Sequence, residues 1–135
     1  MIRIKQEFNT EVIGELIPYF IEDGCYTKEV MADEFIKMMT SNPDSICVLV
    51  ARNEGNVVAF IIAHKCYNRD YAYFAQVYSK MHHDIAQMGF AKLIRWCKKQ
   101  GIKELRGEVE RDSTAMRGIK TYGFTEHSIV VSRKI

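Results

Sequence analysis

The chain has 135 residues and a mass of 15.7 kDa, room for one domain with a substantial core and too little for two. Hydrophobic residues make up 47% and charged residues 27%, a balance that excludes a disordered or fibrous protein. A net charge of +2 argues against a dominant nucleic-acid-binding face.

MIRIKQEF opens the chain with no apolar segment of signal-peptide length, and the longest apolar runs, 46–51 and 57–63, are strand-sized. The expectation is a cytoplasmic protein without a membrane span. Ile2 and Ile4 alternate with charged neighbours and predict a short strand. Asn9 or Thr10 then caps a helix in which Val12, Leu16 and Phe20 recur at helical spacing, with Glu11 suited to its positive end and Pro18 bending or ending it early. A second helix starts near Thr27, gathers Met31, Phe35, Met38 and Met39 on one face, and stops before Asn42 and Pro43.

Residues 46–52 read as a buried strand, Asn53-Glu54-Gly55-Asn56 as a turn, and 57–65 as the antiparallel partner. After the polar turn Asn68-Arg69-Asp70, the aromatic segment 71–78 adds a third strand. The period then becomes helical. Over 84–100, Ala86, Phe90, Leu93, Ile94 and Cys97 form an inward face and Lys92, Arg95, Lys98 and Lys99 an outward one, with Gly101 as the stop. Residues 103–109 alternate again, Asp112 or Ser113 caps a short helix reaching about Tyr122, and 127–134 close the chain as a strand.

Cys25, Cys47, Cys66 and Cys97 stand apart in or beside apolar stretches, as buried reduced thiols do, and indicate neither a disulfide framework nor a zinc site. His82, His83 and Asp84 are a dense polar group, yet adjacent helical residues point about 100° apart and no further ligand is identifiable, so no metal is expected. The basic stripe of the long helix reads as a solvated face.

The run DSTAMRGIKTYGF, residues 112–124, carries the strongest signal. Asp112, Ala115, Ile119, Gly123 and Phe124 fall at the spacing at which the GNAT N-acetyltransferases carry Asn, Ala, Tyr, Gly and Phe. The order β-α-α-β-β-β-α-β-α-β also resembles that family over essentially the whole chain, residues 1–135. The resemblance implies an α+β, three-layer fold: a mixed, mostly antiparallel sheet with a central, splayed parallel strand pair and helices on both faces. It implies acetyl-CoA as cofactor, entering where those two strands separate, with its pantetheine arm along Val77, Tyr78 and Ser79 and Asp112 at the family's Asn position.

A pyrophosphate is received by a helix N-terminus, where backbone N–H groups lack partners within the helix. In the family that place reads Arg or Gln, two residues, Gly, one residue, then Gly or Ala. Counted back from Trp96 and Gly101, the corresponding residues here are Met81, His82, His83, Asp84, Ile85 and Ala86, of which only Ala86 conforms. Asp84 puts a carboxylate where an anion should bind, while Lys80, His82 and His83 restore positive charge. A second register sets Gly89-Phe90-Ala91 on the pattern but shortens the following helix by roughly one turn.

Acyl transfer to an amine needs a base for the nucleophile's proton and an acid for the departing thiolate. The family often uses Tyr as the acid; here Ile119 holds that place, and Tyr122, one helical step on, is the substitute. Glu108 is the candidate base, sharing a strand face with Glu110, and Gln76 stands where some relatives place an acid. Plainer readings make Tyr122 a packing aromatic and pair Glu108 with Arg106 on a solvated face. One function is an N-acyltransferase of low activity, moving an acetyl group from acetyl-CoA to a small-molecule or protein amine. The other is a GNAT-fold module whose catalytic site has lapsed and which serves protein partners in an assembly. Nucleic-acid binding through the basic helix is disfavoured, because Phe90 and Trp96 lie toward its apolar face.

Overall fold

Alternating apolar residues build one five-stranded sheet, in the spatial order β1 (Ile2–Gln6), β2 (Ile46–Asn53), β3 (Asn56–Lys65), β4 (Tyr71–Ser79) and β5 (Glu104–Arg106). The computed structural model describes residues 2–22, 26–80, 83–108, 118–127 and 131–135. The first three strand pairings are antiparallel and the fourth, β4 with β5, is parallel. Helices α1 (Glu11–Leu16) and α2 (Lys28–Ser41) cover one face and α3 (His83–Lys99) the other. The expected mixed, mostly antiparallel sheet with one parallel pair and helices on both faces is what the chain forms, and among the described residues that pair lies at the sheet's edge.

Period two sorts the core. Ile46, Val48 and Val50 of β2 and Phe60 and Ile62 of β3 pack with Leu16, Phe20, Phe35 and Met39 beneath α1 and α2. Their alternates, Cys47, Leu49, Ala51, Ala59, Ile61 and Ala63, pack with Phe90, Leu93, Trp96 and Cys97 of α3. Burial pushes the Cys47 thiol up to about 12, with Cys97 adding to the rise, so both buried cysteines stay protonated and inert. Cys66 is half-buried, less enclosed than expected, and Cys25 lies outside the described residues.

Local chemistry sets the boundaries. Asn9 Oδ1 accepts from the Glu11 N–H at 2.9 Å ahead of α1, and Pro18 turns the chain into a short 3-10 segment, Ile17–Tyr19. Thr27 Oγ1 accepts from the Val30 N–H at 3.2 Å at the start of α2. Glu54 and Gly55 both take positive φ, 53° and 84°, giving the primed turn that matches strand twist. Gly101, at φ 71°, ends α3, and the Ile102 N–H donates to the Cys97 C=O at 2.9 Å to close the cap. Arg52 staples the far edge: its Nε and Nη2 donate to the two Glu7 oxygens at 2.9 Å each, Nη2 also reaches Glu15 Oε2 at 3.1 Å, and Nη1 donates to the Gly55 C=O at 3.0 Å.

β4 carries one extra residue. Ile62 stands opposite Gln76 but Ala63 opposite Phe74, so Ala75 has no partner on β3. Phe74 therefore packs on the α3 side, Ala75 and Gln76 both turn to the α1–α2 side, and Val77 returns to the α3 side. The parallel ladder with β5 ends just before the bulge, at Tyr73 opposite Arg106.

Three expectations are corrected. Ile94 is 38% exposed rather than inward, because Phe90, Leu93, Trp96 and Cys97 already fill the seam under α3. β5 stops at Arg106, short of the expected 103–109, with Val109 outside the described residues. The expected short helix after it is present where described, with 118–120 helical and 121–123 a turn, and Asp112 and Ser113 lie outside the described residues. In the expected closing strand, His127 and residues 131–134 are not extended into a ladder, and 128–130 lie outside the described residues.

Gly107 follows β5 at a place where a Cβ would sit 2.0 Å from Phe74 Cζ, and that ring is held edge-on between Phe90 and Phe124 at 5.7 and 5.5 Å. Gly107→Ala is expected to destabilise the fold by about 1–3 kcal/mol, the cost of overpacking a fixed ring. Gly14, exposed in α1 with nothing near its Cβ position, gives the opposite control: Gly14→Ala is expected to stabilise by about 0.5–1 kcal/mol. Urea denaturation of the two variants measures both.

Candidate functional site

The sheet opens where β5 leaves β4. The Lys80 N–H donates to the Val58 C=O at 2.8 Å, which sets the phase of the β3–β4 ladder: residues 76, 78 and 80 turn their backbone groups toward β3. Val77 and Ser79 turn theirs the other way, to the side β5 has vacated. On the sheet face under α3 lies a small apolar cleft, lined by Ala51, Ile61, Val77, Ser79, Ala86 and Gly89 among others. Gly89 lets α3 come close to the sheet, since a Cβ there would stand 3.1 Å from Ile61 Cδ1.

Of the sequence-nominated residues, Val77, Tyr78, Ser79, Ile85 and Ala86 meet around this one cleft. His83 begins α3 and Asp84 sits exposed in its first turn, where a carboxylate complements the positive end of the helix. Met81, His82 and Asp112 lie outside the described residues. Tyr78 divides its parts: its backbone faces β3, and its ring packs on Tyr19 at 4.6 Å and Phe60 at 5.7 Å, on the α1–α2 face.

Tyr122 packs against Phe90, centroids 5.2 Å apart, at the α3 side of the opening. Burial, and after it the charge of Asp84, raises its phenol above the ordinary range, so the ring keeps its proton. The pair was not legible as a pair, because 38 positions of chain separate residues that the fold makes neighbours. Ile119 packs against the α3-side core and brings no proton to the opening. Glu108 is exposed beyond the end of β5. Arg106 bonds Glu104 instead of Glu108 and stacks over the Tyr71 ring at 3.9 Å, so the expected Glu108–Arg106 pairing does not form.

Gln76 is 6% exposed, and its amide is fully engaged: Oε1 accepts from the Ile21 N–H at 2.9 Å and Nε2 donates to the Ile21 C=O at 2.8 Å. With Met31 Sδ also 3.4 Å from Nε2, this side chain serves neither as acid nor base. A lone Gln within an aromatic strand was the available signal, since a buried amide demands partners. Among the described residues, no group of three His, Cys, Asp or Glu could hold a metal, and no helix is long and apolar enough to cross a membrane.

Comparison with known proteins agrees with this architecture. A model described as the acetyltransferase (GNAT) family matches residues 11–124. No curated protein matches the chain. A predicted acetyltransferase from Clostridium acetobutylicum, solved with acetyl-CoA, superimposes with a TM-score of 0.77 at 14% identity, over 99% of this chain and 96% of that one. The aminoglycoside antibiotic 6'-N-acetyltransferase AAC(6')-Ih from Acinetobacter baumannii gives 0.74 at 15% identity, over 100% and 98%. Glucosamine-6-phosphate N-acetyltransferase from Arabidopsis thaliana gives 0.70 at 17% identity, over 99% and 98%. At these identities the likeness is one of fold.

The coupling of Tyr122 to Asp84 is measurable. In a tyrosine-labelled NMR titration, with Tyr122→Phe to assign the resonance, Tyr122 is expected to ionise above the ordinary tyrosine range. Asp84→Asn should lower that midpoint, because it removes a like charge, and leave it above the free value, because burial is the larger cause.

Proposed function

The chain belongs to the acetyltransferase (GNAT) family, and from that premise we propose that it transfers an acetyl group from acetyl-CoA to an amine. The observation that carries this reading is the early end of the β4–β5 ladder, which leaves the Val77 backbone turned to the β5 side of the strand while its side chain lines the apolar cleft under the first turns of α3. The residues present fit such a cofactor: a strand edge for an amide-bearing arm, an apolar cleft, and a helix N-terminus nearby. Acetyl-CoA supplies a thioester acyl carbon when bound. A small-molecule amine is the favoured acceptor class, since two fold neighbours are named for glucosamine-6-phosphate and for aminoglycosides.

Each side chain then has a task. Val77 and Ser79 bind the arm through their backbone groups as an added strand would, and Ile85 and Ala86 wall the cleft. The start of α3 receives the diphosphate, with His82 and His83 next to it in the sequence as the available cations, while Asp84 opposes that charge and weakens binding. Tyr122, held protonated by burial, donates its proton to the departing sulfur. Glu108, exposed to solvent, takes a proton from the amine. Asp112 stands in the sequence at the family's Asn position, and its part in holding the cofactor is carried by that match alone. We place the protein in the cytoplasm.

A second reading, a lapsed module that serves protein partners in an assembly, is favoured by Ile119, whose packing against the core leaves no phenol at the family's catalytic position. Calorimetry and thiol release separate the two. Acetyl-CoA at a hundredfold over its dissociation constant is expected to raise stability by about 2.7 kcal/mol. Asp84→Gly should tighten binding roughly two- to fivefold, the worth of one charge at a helix end, and Tyr122→Phe should lower kcat by on the order of a hundredfold. A flat melting titration with no thiol release would favour the module.

A further inference from the structure

Gln76 ties the end of β4 to the connection between α1 and α2. Its amide meets the backbone of Ile21, 55 residues away, through two opposed hydrogen bonds of 2.9 and 2.8 Å, so one side chain captures a peptide as a neighbouring strand would. Such a pair holds position and orientation together, because the donor and acceptor of one planar amide cannot both be satisfied by a rotated partner. The captured residue follows the Ile17–Tyr19 turn and Phe20, and it precedes α2.

The bulge makes the capture possible. In an unbroken strand Gln76 would share the face of Phe74 and point at α3; the extra residue, Ala75, moves it to the α1–α2 face, two positions from Tyr78. Tyr78 in turn packs on Tyr19, which lies in the same short turn that leads to Ile21. The connection from α1 to α2 is thus docked twice on the last residues of β4, by the Tyr19–Tyr78 ring contact and by the Gln76 amide. Both contacts lie across the sheet from the cleft beside α3.

We infer that Gln76 is a positioning residue for the acceptor side of the open strand end: it pins the α1–α2 connection at Ile21 and leaves the cofactor cleft on the other face alone. The acceptor role rests on the acyl-transfer reading; the pinning does not. Because the cofactor arm and the α1–α2 connection use opposite faces of β4, loosening the pin changes how an amine is received and not how coenzyme A is held. Ile21 itself is 69% exposed, so its side chain is free to meet an acceptor once its backbone is fixed.

The test uses hydrogen exchange at the Ile21 amide, coenzyme A titration, and thiol release with benzylamine, spermidine and glucosamine 6-phosphate as acceptors. Gln76→Met keeps the length and loses both hydrogen bonds; Ile21 exchange should quicken at least tenfold at every pH while Ile62 in β3 stays protected. Gln76→Glu should be rescued by acid. A protonated carboxyl can still donate to the Ile21 C=O and accept from its N–H, whereas the carboxylate has no proton to donate. Its Ile21 protection should match wild type near pH 5 and be lost by pH 8, with wild type at each pH correcting for Tyr19, Glu22, Glu29 and Tyr78. In both variants coenzyme A affinity should stay within twofold of wild type, and the KM of the best acceptor should rise at least tenfold at pH 8. Unchanged Ile21 exchange, or coenzyme A affinity falling in step with it, would overturn the inference, as would an unchanged acceptor KM. A wild type that binds no coenzyme A would sink the acyl-transfer reading, and Ile21 exchange would still decide the pin.

Discussion

One unpaired residue in β4, Ala75, sets the phase of everything at the open end of the sheet. A bulge bends its strand and adds twist, and here it follows directly on the last parallel pair, Tyr73 with Arg106. Up to that pair, β4 is an ordinary central strand with a partner on each side. Beyond it, β4 keeps β3 and, among the described residues, has no pairing with β5, so the backbone groups of Val77 turn to the side away from β3. The same phase change carries Gln76 and Tyr78 to one face and Val77 to the other.

The two faces of this strand end are consequently built of different materials. Toward α3 the surroundings are apolar and aromatic, with Gly89 bringing the helix close to Ile61 and Phe90 meeting Phe74, Tyr122 and Phe124. Among the described residues, charge enters there at the rim, where Asp84 raises the Tyr122 phenol. Toward α1 and α2 the strand end is held by a buried amide pair and by ring packing. Gly107 belongs to the α3 side, where the Phe74 ring occupies the place of the Cβ it lacks and so fixes where the chain departs from β4.

Most of the fold was legible because its signals are local. Asn53-Glu54-Gly55-Asn56 names its own turn, Gly101 its own cap, Pro18 its own break, and the alternation through β2 and β3 assigns each residue to a face. The Asp112–Phe124 spacing located the architecture even though half of that run lies outside the described residues. What stayed hidden depends on opposition between strands or on distant pairs. The Ala75 bulge leaves no mark in β4 alone, since it exists only relative to the register of β3. Gln76 could be seen as a polar residue in an apolar strand, yet its partner is a backbone that any residue would supply. Ile94 was misread because helical spacing alone cannot say when a seam is already full, and the Glu108–Arg106 pairing because the strand that should have aligned the two ends at Arg106.

The central claim is that the departure of β5 makes the Val77 edge of β4 a binding edge for coenzyme A. Titrating coenzyme A into nitrogen-15-labelled protein and following the backbone amides tests it most directly. The account requires the largest shifts at Val77 and along residues 84–89 of α3, with Ile21 and the α2 amides unmoved. Saturable shifts confined to the α1–α2 face, or spread along the Lys92, Arg95 and Lys99 surface of α3 while Val77 stays fixed, would contradict it.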